Sequence, residues 1–176
     1  MDSFNKIQLS PITLSDEFCK EWNISTQDIF VHLTMNGELV NNGLYRKGGI
    51  GGDLTKKYFT LLKHTKVKYT AKEREKYGFK NKKGLRFNWC ILDHQGNEKF
   101  IAELYDTPYI VDNSVIFVIG NKYYNIETGE YYCQSLSSMR SDDYIFLDNT
   151  QDSNPSKKGV MQINKHDGTW MLHTSC

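Results

Sequence analysis

From Leu85 onward, short apolar runs are spaced by turn residues, the period of half-buried strands rather than of helices. Leu85 to Leu92 and Lys99 to Tyr105 flank Asp93-His94-Gln95-Gly96-Asn97. Val115 to Ile119 and Lys122 to Ile126 flank Gly120-Asn121, a two-residue hairpin turn. Thr128-Gly129 turns the chain into Glu130 to Gln134, and Tyr144 to Leu147, Val160 to Ile163 and Thr169 to His173 follow. The last two join through Lys165-His166-Asp167-Gly168, with glycine where positive φ is needed. Asp148 to Lys158 is polar, contains a proline and reads as an exposed loop.

Before Leu85 the pattern is helical in places. Thr13 to Trp22 predicts a short helix, with Ser15 as cap, Asp16 and Glu17 in the first turn, and Phe18 and Trp22 on one face. Ser25-Thr26-Gln27-Asp28 has the form of a capping box, so Ile29 to Met35 fits a second helix. The same residues fit a strand turning at Asn36-Gly37, and periodicity leaves both open. Leu54, Tyr58, Leu61 and Leu62 fall on one helical face, which predicts a helix over Leu54 to His64 with Asp53 as N-cap. Ala71 to Tyr77 predicts a further charged helical turn. The expected fold is mainly β (α+β): an antiparallel meander in the C-terminal half and one to three helices in the N-terminal half. Residues 1–176 form one domain on this reading, with a helix-containing basic part over 1–84 and a β part over 85–176.

Asn125-Ile126-Glu127-Thr128-Gly129 and Ile163-Asn164-Lys165-His166-Asp167-Gly168 share a strand end followed by a polar turn closing on glycine. Similar turns occur in the blades of propeller proteins. A closed propeller needs about four blades of four strands, more than this chain supplies, so the pair is evidence for a meander.

Charge changes the picture more than composition does. The chain has 176 residues and a net charge of +1, with 39% apolar and 13% aromatic side chains, enough for a core. The charge divides as −3 over residues 1–55, +10 over 56–86 and −6 over 87–176. Within residues 56–89, Lys66, Lys68, Lys72, Arg74, Lys76, Lys80, Lys82, Lys83 and Arg86, with Lys56, Lys57 and Lys63 before them, are interleaved with Tyr58, Tyr69, Tyr77, Phe79, Phe87 and Trp89. Basic side chains neutralise phosphates and exposed rings stack on unpaired bases, so this segment is expected to dock nucleic acid or an acidic protein surface. Such a chain is expected to be a non-enzymatic binding or regulatory protein, of the kind encoded by a bacterium or its phage as an inhibitor or accessory factor.

Cys19, Cys90, Cys133 and Cys176 are widely separated, which argues for free thiols and against zinc or a redox dithiol. No apolar stretch reaches the length of a membrane helix and no apolar region follows the N-terminal lysine, so a cytoplasmic location, no membrane, no metal and no cofactor are expected. Gly48-Gly49-Ile50-Gly51-Gly52 departs from both nucleotide-binding glycine patterns and places Asp53 where a phosphate would sit.

One catalytic pairing remains. Val31-His32-Leu33-Thr34-Met35 and His173-Thr174-Ser175 each contain His-x-Ser/Thr. The pair resembles the doubled signature of the 2H phosphoesterases. That resemblance implies His32 and His173 as general base and acid on a cyclic or oligonucleotide phosphate, with Thr34 and Ser175 beside them. It requires both histidines on adjacent strands facing one cleft.

Overall fold

Alternation in Ile7-Gln8-Leu9-Ser10 sends Ile7 inward and Gln8 outward, and the segment forms β1 (Ile7–Ile12). This is the first element of a computed structural model that describes residues 7–24, 30–46, 54–103, 106–149 and 158–174. The chain divides into two compact units, residues 1–55 with 59–105 and residues 56–58 with 106–176. The architecture is mainly antiparallel β, and the described helices lie in the N-terminal half, as the sequence predicts.

In the first unit, β1 pairs along its whole length with β2 (Phe30–Met35). Between them lies α1 (Asp16–Glu21), capped by the Ser15 Oγ, which accepts from the Phe18 N–H at 3.1 Å. The residues that fit either helix or strand are thus strand. Asn36 and Gly37, both at positive φ, turn β2 into β3 (Glu38–Leu39). The sheet continues through β4 (Leu44–Arg46), β5 (Phe59–Lys68), β6 (Lys83–Leu92) and β7 (Glu98–Ile101), in the order β1-β2-β4-β5-β6-β7 with β3 also on β2. The helix α2 (Ala71–Tyr77) closes the long β5–β6 hairpin, whose strands pair over ten residues each.

The helix predicted over Leu54 to His64 is not formed. Phe59 to His64 instead begins β5, hydrogen-bonded to β4 on one side and β6 on the other. Both faces of this strand are covered: Phe59 and Leu61 are buried on one, Leu62 on the other. A strand covered on both sides loses its alternation, and the run Phe59-Thr60-Leu61-Leu62 then mimics a helical stripe. The capping-box segment at residues 25–28, the glycine-rich loop and Asp53 lie outside the described residues.

Ile7, Val31, Leu33, Tyr45, Phe59, Leu61, Cys90 and Leu92 form the core on one face of this sheet. A polar group sits among them. The extra residue in β7, Lys99, shifts the register so that Glu98 shares a face with Leu92. There Glu98 accepts a hydrogen bond from the Tyr45 hydroxyl and one from Lys63 Nζ, both at 2.7 Å. Burial, with Glu98 alongside, holds the Tyr45 hydroxyl and the Cys90 thiol well above their ordinary pKa ranges. Cys19, Cys90 and Cys133 are all buried.

The second unit contains two four-stranded meanders, each in chain order. One is β8 (Tyr109–Ile110), β9 (Ile116–Ile119), β10 (Lys122–Asn125) and β11 (Tyr131–Gln134). The other is β12 (Ser138–Arg140), β13 (Tyr144–Asp148), β14 (Val160–Asn164) and β15 (Trp170–His173). The two similar sequence turns occupy equivalent places. Asn125 Oδ1 accepts from the N–H groups of Glu127 and Thr128, and Asn164 Oδ1 from those of His166 and Asp167. Each asparagine carbonyl then accepts from the closing glycine, Gly129 or Gly168. The registers also correspond, apart from one extra residue in β11: Tyr109, Val118, Tyr123 and Cys133 lie in one cross-strand row, and Met139, Phe146, Gln162 and Met171 in the matching row. The unit is therefore one meander module used twice.

The two closing glycines separate backbone strain from packing. Both have positive φ, +73° at Gly129 and +78° at Gly168. A Cβ at Gly129 meets open space, whereas at Gly168 it overlaps the Asn125 amide and the Tyr132 hydroxyl. That hydroxyl donates to the Gly168 carbonyl at 2.6 Å and accepts from Asn125 Nδ2 at 2.9 Å. Gly129→Ala is expected to cost about 1 kcal/mol, the left-handed penalty alone. Gly168→Ala is expected to cost about 2–4 kcal/mol, because the buried bonds also break. Urea unfolding midpoints of the two variants check the difference.

Candidate nucleic-acid interface

Thr70, two residues after the end of β5, caps α2 with a complete capping box. Its Oγ1 accepts from the Glu73 N–H at 3.2 Å, and Glu73 Oε1 accepts from the Thr70 N–H at 3.3 Å. Gly78, at φ +69°, ends the helix in the left-handed conformation. A helix of seven residues needs these caps, since none of its side chains is buried. The Ala71 to Tyr77 turn expected from sequence is therefore present, standing at the tip of the hairpin.

All nine basic residues singled out by sequence lie on this hairpin and its helix. The structure divides them by environment. Lys66 sits with its Nζ 5.4 Å from the Phe18 ring centre and 5.0 Å from that of Trp22, both on α1. Lys83 pairs with Glu21 and lies 5.3 Å from the Trp22 ring. Arg86 is bound to Glu73 at 3.0 Å. Arg74 is half-buried, and its Nε makes no hydrogen bond. Lys66, Lys83 and Arg86 are thus engaged within the fold. Lys68, Lys72, Lys76, Lys80 and Lys82 are exposed, and none forms an ion pair with another described residue.

Three of the exposed lysines are placed against other cations. Lys68 lies directly opposite Lys83 across the strands, and Lys72 and Lys76 are four apart on α2. Like charges in both arrangements destabilise the fold by a few tenths of a kcal/mol each. Local conflict of this sort is expected where a surface is built for a partner.

Three rings complete the tip. Tyr69 and Phe79 have centroids 5.0 Å apart, Tyr77 and Phe79 5.7 Å, and Tyr69 and Tyr77 6.1 Å. Tyr77 is 41% exposed, and the other two are half-buried. Burial lifts the Tyr69 hydroxyl above its ordinary pKa. Tyr77 and Phe79 were legible as site residues in the sequence. The support beneath them was not: a Cβ at Gly84 would overlap the Tyr69 ring, so the glycine lets that ring lie on β6. The α1 aromatics that engage Lys66 and Lys83 had a signal, the four-residue spacing of Phe18 and Trp22.

The histidines are not brought together on neighbouring strands. His32 lies on β2 of the first unit, where Nδ1 donates to the Gly43 carbonyl at 3.0 Å. Thr34 is buried, its hydroxyl 2.7 Å from that of Ser10. His173 lies on β15 of the second unit, with Nε2 donating to Gln162 Oε1 at 2.7 Å. Ser175 lies outside the described residues. The adjacent-strand pairing that a two-histidine phosphoesterase needs is absent, since β2 and β15 belong to separate sheets. A shallow hollow of about 450 Å³ beside β3 is lined by Met35, Asn36, Glu38, Leu39, Val40 and Gln95, which provide no nucleophile and base pair.

Compared with family models, curated proteins and solved structures, the chain matches none. Among the described residues no helix is long and apolar enough to cross a membrane, and no cluster of three or more His, Cys, Asp or Glu is arranged to hold a metal.

Proposed function

We propose that this chain is a non-enzymatic nucleic-acid-binding protein, regulatory or accessory in effect, which grips its partner with the tip of the β5–α2–β6 hairpin. One observation carries the reading. Five exposed lysines with no carboxylate partner among the described residues lie at the end of β5, on the capped α2 and in the segment leading into β6, along with three clustered rings. Lysine alone fits any polyanion, and the rings favour one whose bases offer flat faces.

Binding driven by phosphate neutralisation weakens with salt in proportion to the contacts made. If all five lysines engage phosphates, the log–log slope of affinity against salt is expected to be about −3.5 on a single strand and about −4.5 on a duplex. Fluorescence anisotropy of a labelled oligonucleotide between 50 and 300 mM salt, roughly the range where such slopes are read, checks it. A flat dependence, or no binding to any oligonucleotide together with capture by polyglutamate, would turn the assignment towards an acidic protein partner.

A further inference from the structure

We infer that the ring cluster at the hairpin tip is a stacking platform for unpaired bases, so that the ligand is a single-stranded nucleic acid bound with little regard to sequence. The inference rests on the nucleic-acid reading above and sharpens it.

The three rings come from three pieces of chain that the fold must bring together. Tyr69 follows β5, Tyr77 ends α2, and Phe79 follows the left-handed Gly78. They stand apart from the core of the sheet, which is built from other residues. No residue of α2 is buried, so the helix presents Tyr77 at the surface rather than sealing a core with it. Their mutual contacts and the Tyr69 hydroxyl bond to the Leu85 carbonyl, at 3.3 Å, fix the rings before any ligand arrives. A base landing on Tyr77 therefore costs little side-chain ordering.

The charges are spaced to suit a strand whose bases meet these rings. Lys76 Nζ lies 5.5 Å from the Tyr77 ring centre, and Lys80 directly follows Phe79. In a duplex the bases are stacked on each other and only the phosphates are offered. The lysines act on both forms, and the rings act on the single strand alone.

Groups that would read base edges are already engaged. The Asn81 amide donates to the Lys20 carbonyl, and the Asn23 amide to the Lys83 carbonyl. The Thr70 hydroxyl is in the helix cap, and Arg86 is bound to Glu73. Besides Arg74, whose Nε makes no hydrogen bond, and the exposed Glu75, what remains at the tip is lysine charge and aromatic faces, and these every base satisfies.

The test uses the full chain with three labelled 20-mers at one low salt concentration: oligo(dT), a mixed-sequence single strand, and that strand in a duplex. The two single strands are expected to bind within about threefold of each other and about tenfold tighter than the duplex, the contribution of one stacked base. Tyr77→Ala is expected to remove that preference, weakening single-strand binding about tenfold while leaving duplex binding unchanged. Tyr77→Phe keeps the ring and restores it. Gly84→Ala changes no charge but displaces the Tyr69 ring, so it also lowers single-strand affinity and spares the duplex. Tyr77 is exposed, so its substitution tests the platform even if Gly84→Ala does not fold. Equal affinity for single strand and duplex, unaffected by Tyr77→Ala, overturns the stacking inference and leaves the polyanion reading standing. Absence of binding to all three overturns both.

Discussion

Charge reversal of Lys72, Lys76, Lys80 and Lys82 together is expected to abolish nucleic-acid binding, lowering affinity more than about 100-fold at low salt. Each reversal removes one phosphate contact and adds a repulsion, and the salt slope should collapse with the affinity. The choice of residues follows from the structure. Sequence alone points equally to Lys83 and Arg86, but these bind Glu21 and Glu73 within the fold. Reversing either would break an ion pair and confuse loss of structure with loss of function. The four chosen lysines are exposed and hold no carboxylate, so the circular dichroism melt should move by no more than a few degrees, in line with surface substitutions elsewhere. Lys122→Glu with Lys158→Glu, two exposed positions of the second unit, serves as the control and should weaken binding less than threefold. Retained affinity in the fourfold variant would place the interface elsewhere.

The strands after Leu85 were legible because their turns carry their own chemistry. Gly120, Gly129 and Gly168 all adopt positive φ in the structure, and asparagine side chains bond the turns that Gly129 and Gly168 close. The turn likeness between Asn125 and Asn164 also pointed to a meander, and the strand pairings show that the meander occurs twice, as two four-stranded sheets. β1 was missed although Ile7-Gln8-Leu9-Ser10 alternates plainly, because Pro11 cuts the run short and a proline argues against a strand. The false helix over Leu54 to His64 has the opposite cause. β5 is flanked by hydrogen-bonded strands and covered on both faces, so its pattern records tertiary surroundings that local periodicity does not contain.

The site was legible to the same depth. Charge segregation located the hairpin, because a run of lysines is visible without knowing the fold. Which lysines are spent on the fold depends on Glu21 and Trp22 of α1, sixty residues away in sequence from Lys83, and no local pattern reports that. The role of Gly84 was equally hidden. A lone glycine inside a strand reads as a weak position, and only the Tyr69 ring lying against it gives it a purpose.

The largest expected effect on stability lies at Glu98. Its carboxylate is bonded to Tyr45 and Lys63 and faces the Cys90 thiol at 3.7 Å. Burial on its own would raise its pKa, but the hydrogen bonds from Lys63 and Tyr45, with the Lys63 charge, hold it below the ordinary range. Truncation to alanine strands the buried Tyr45 hydroxyl and leaves the three-quarters-buried Lys63 without its counter-charge. The expected cost is about 3 kcal/mol, within the range for breaking a largely buried pair. Unfolding midpoints should fall by roughly 6–12 °C for a chain of this size. The pH dependence distinguishes the ion pair from packing. A carboxylate whose folded pKa is depressed stabilises the native state above its unfolded pKa of about 4.3, and the contribution is lost as pH falls through the folded value. Wild-type stability should therefore drop on acidification from about pH 5 downward. Glu98→Gln should lower stability at neutral pH while flattening that acid limb, because glutamine has no proton to take up. Denaturant unfolding at a series of pH values reads both. An acid limb of unchanged steepness in Glu98→Gln would show that other carboxylates, such as Asp93 and Asp112 with their own lowered values, carry the acid sensitivity instead.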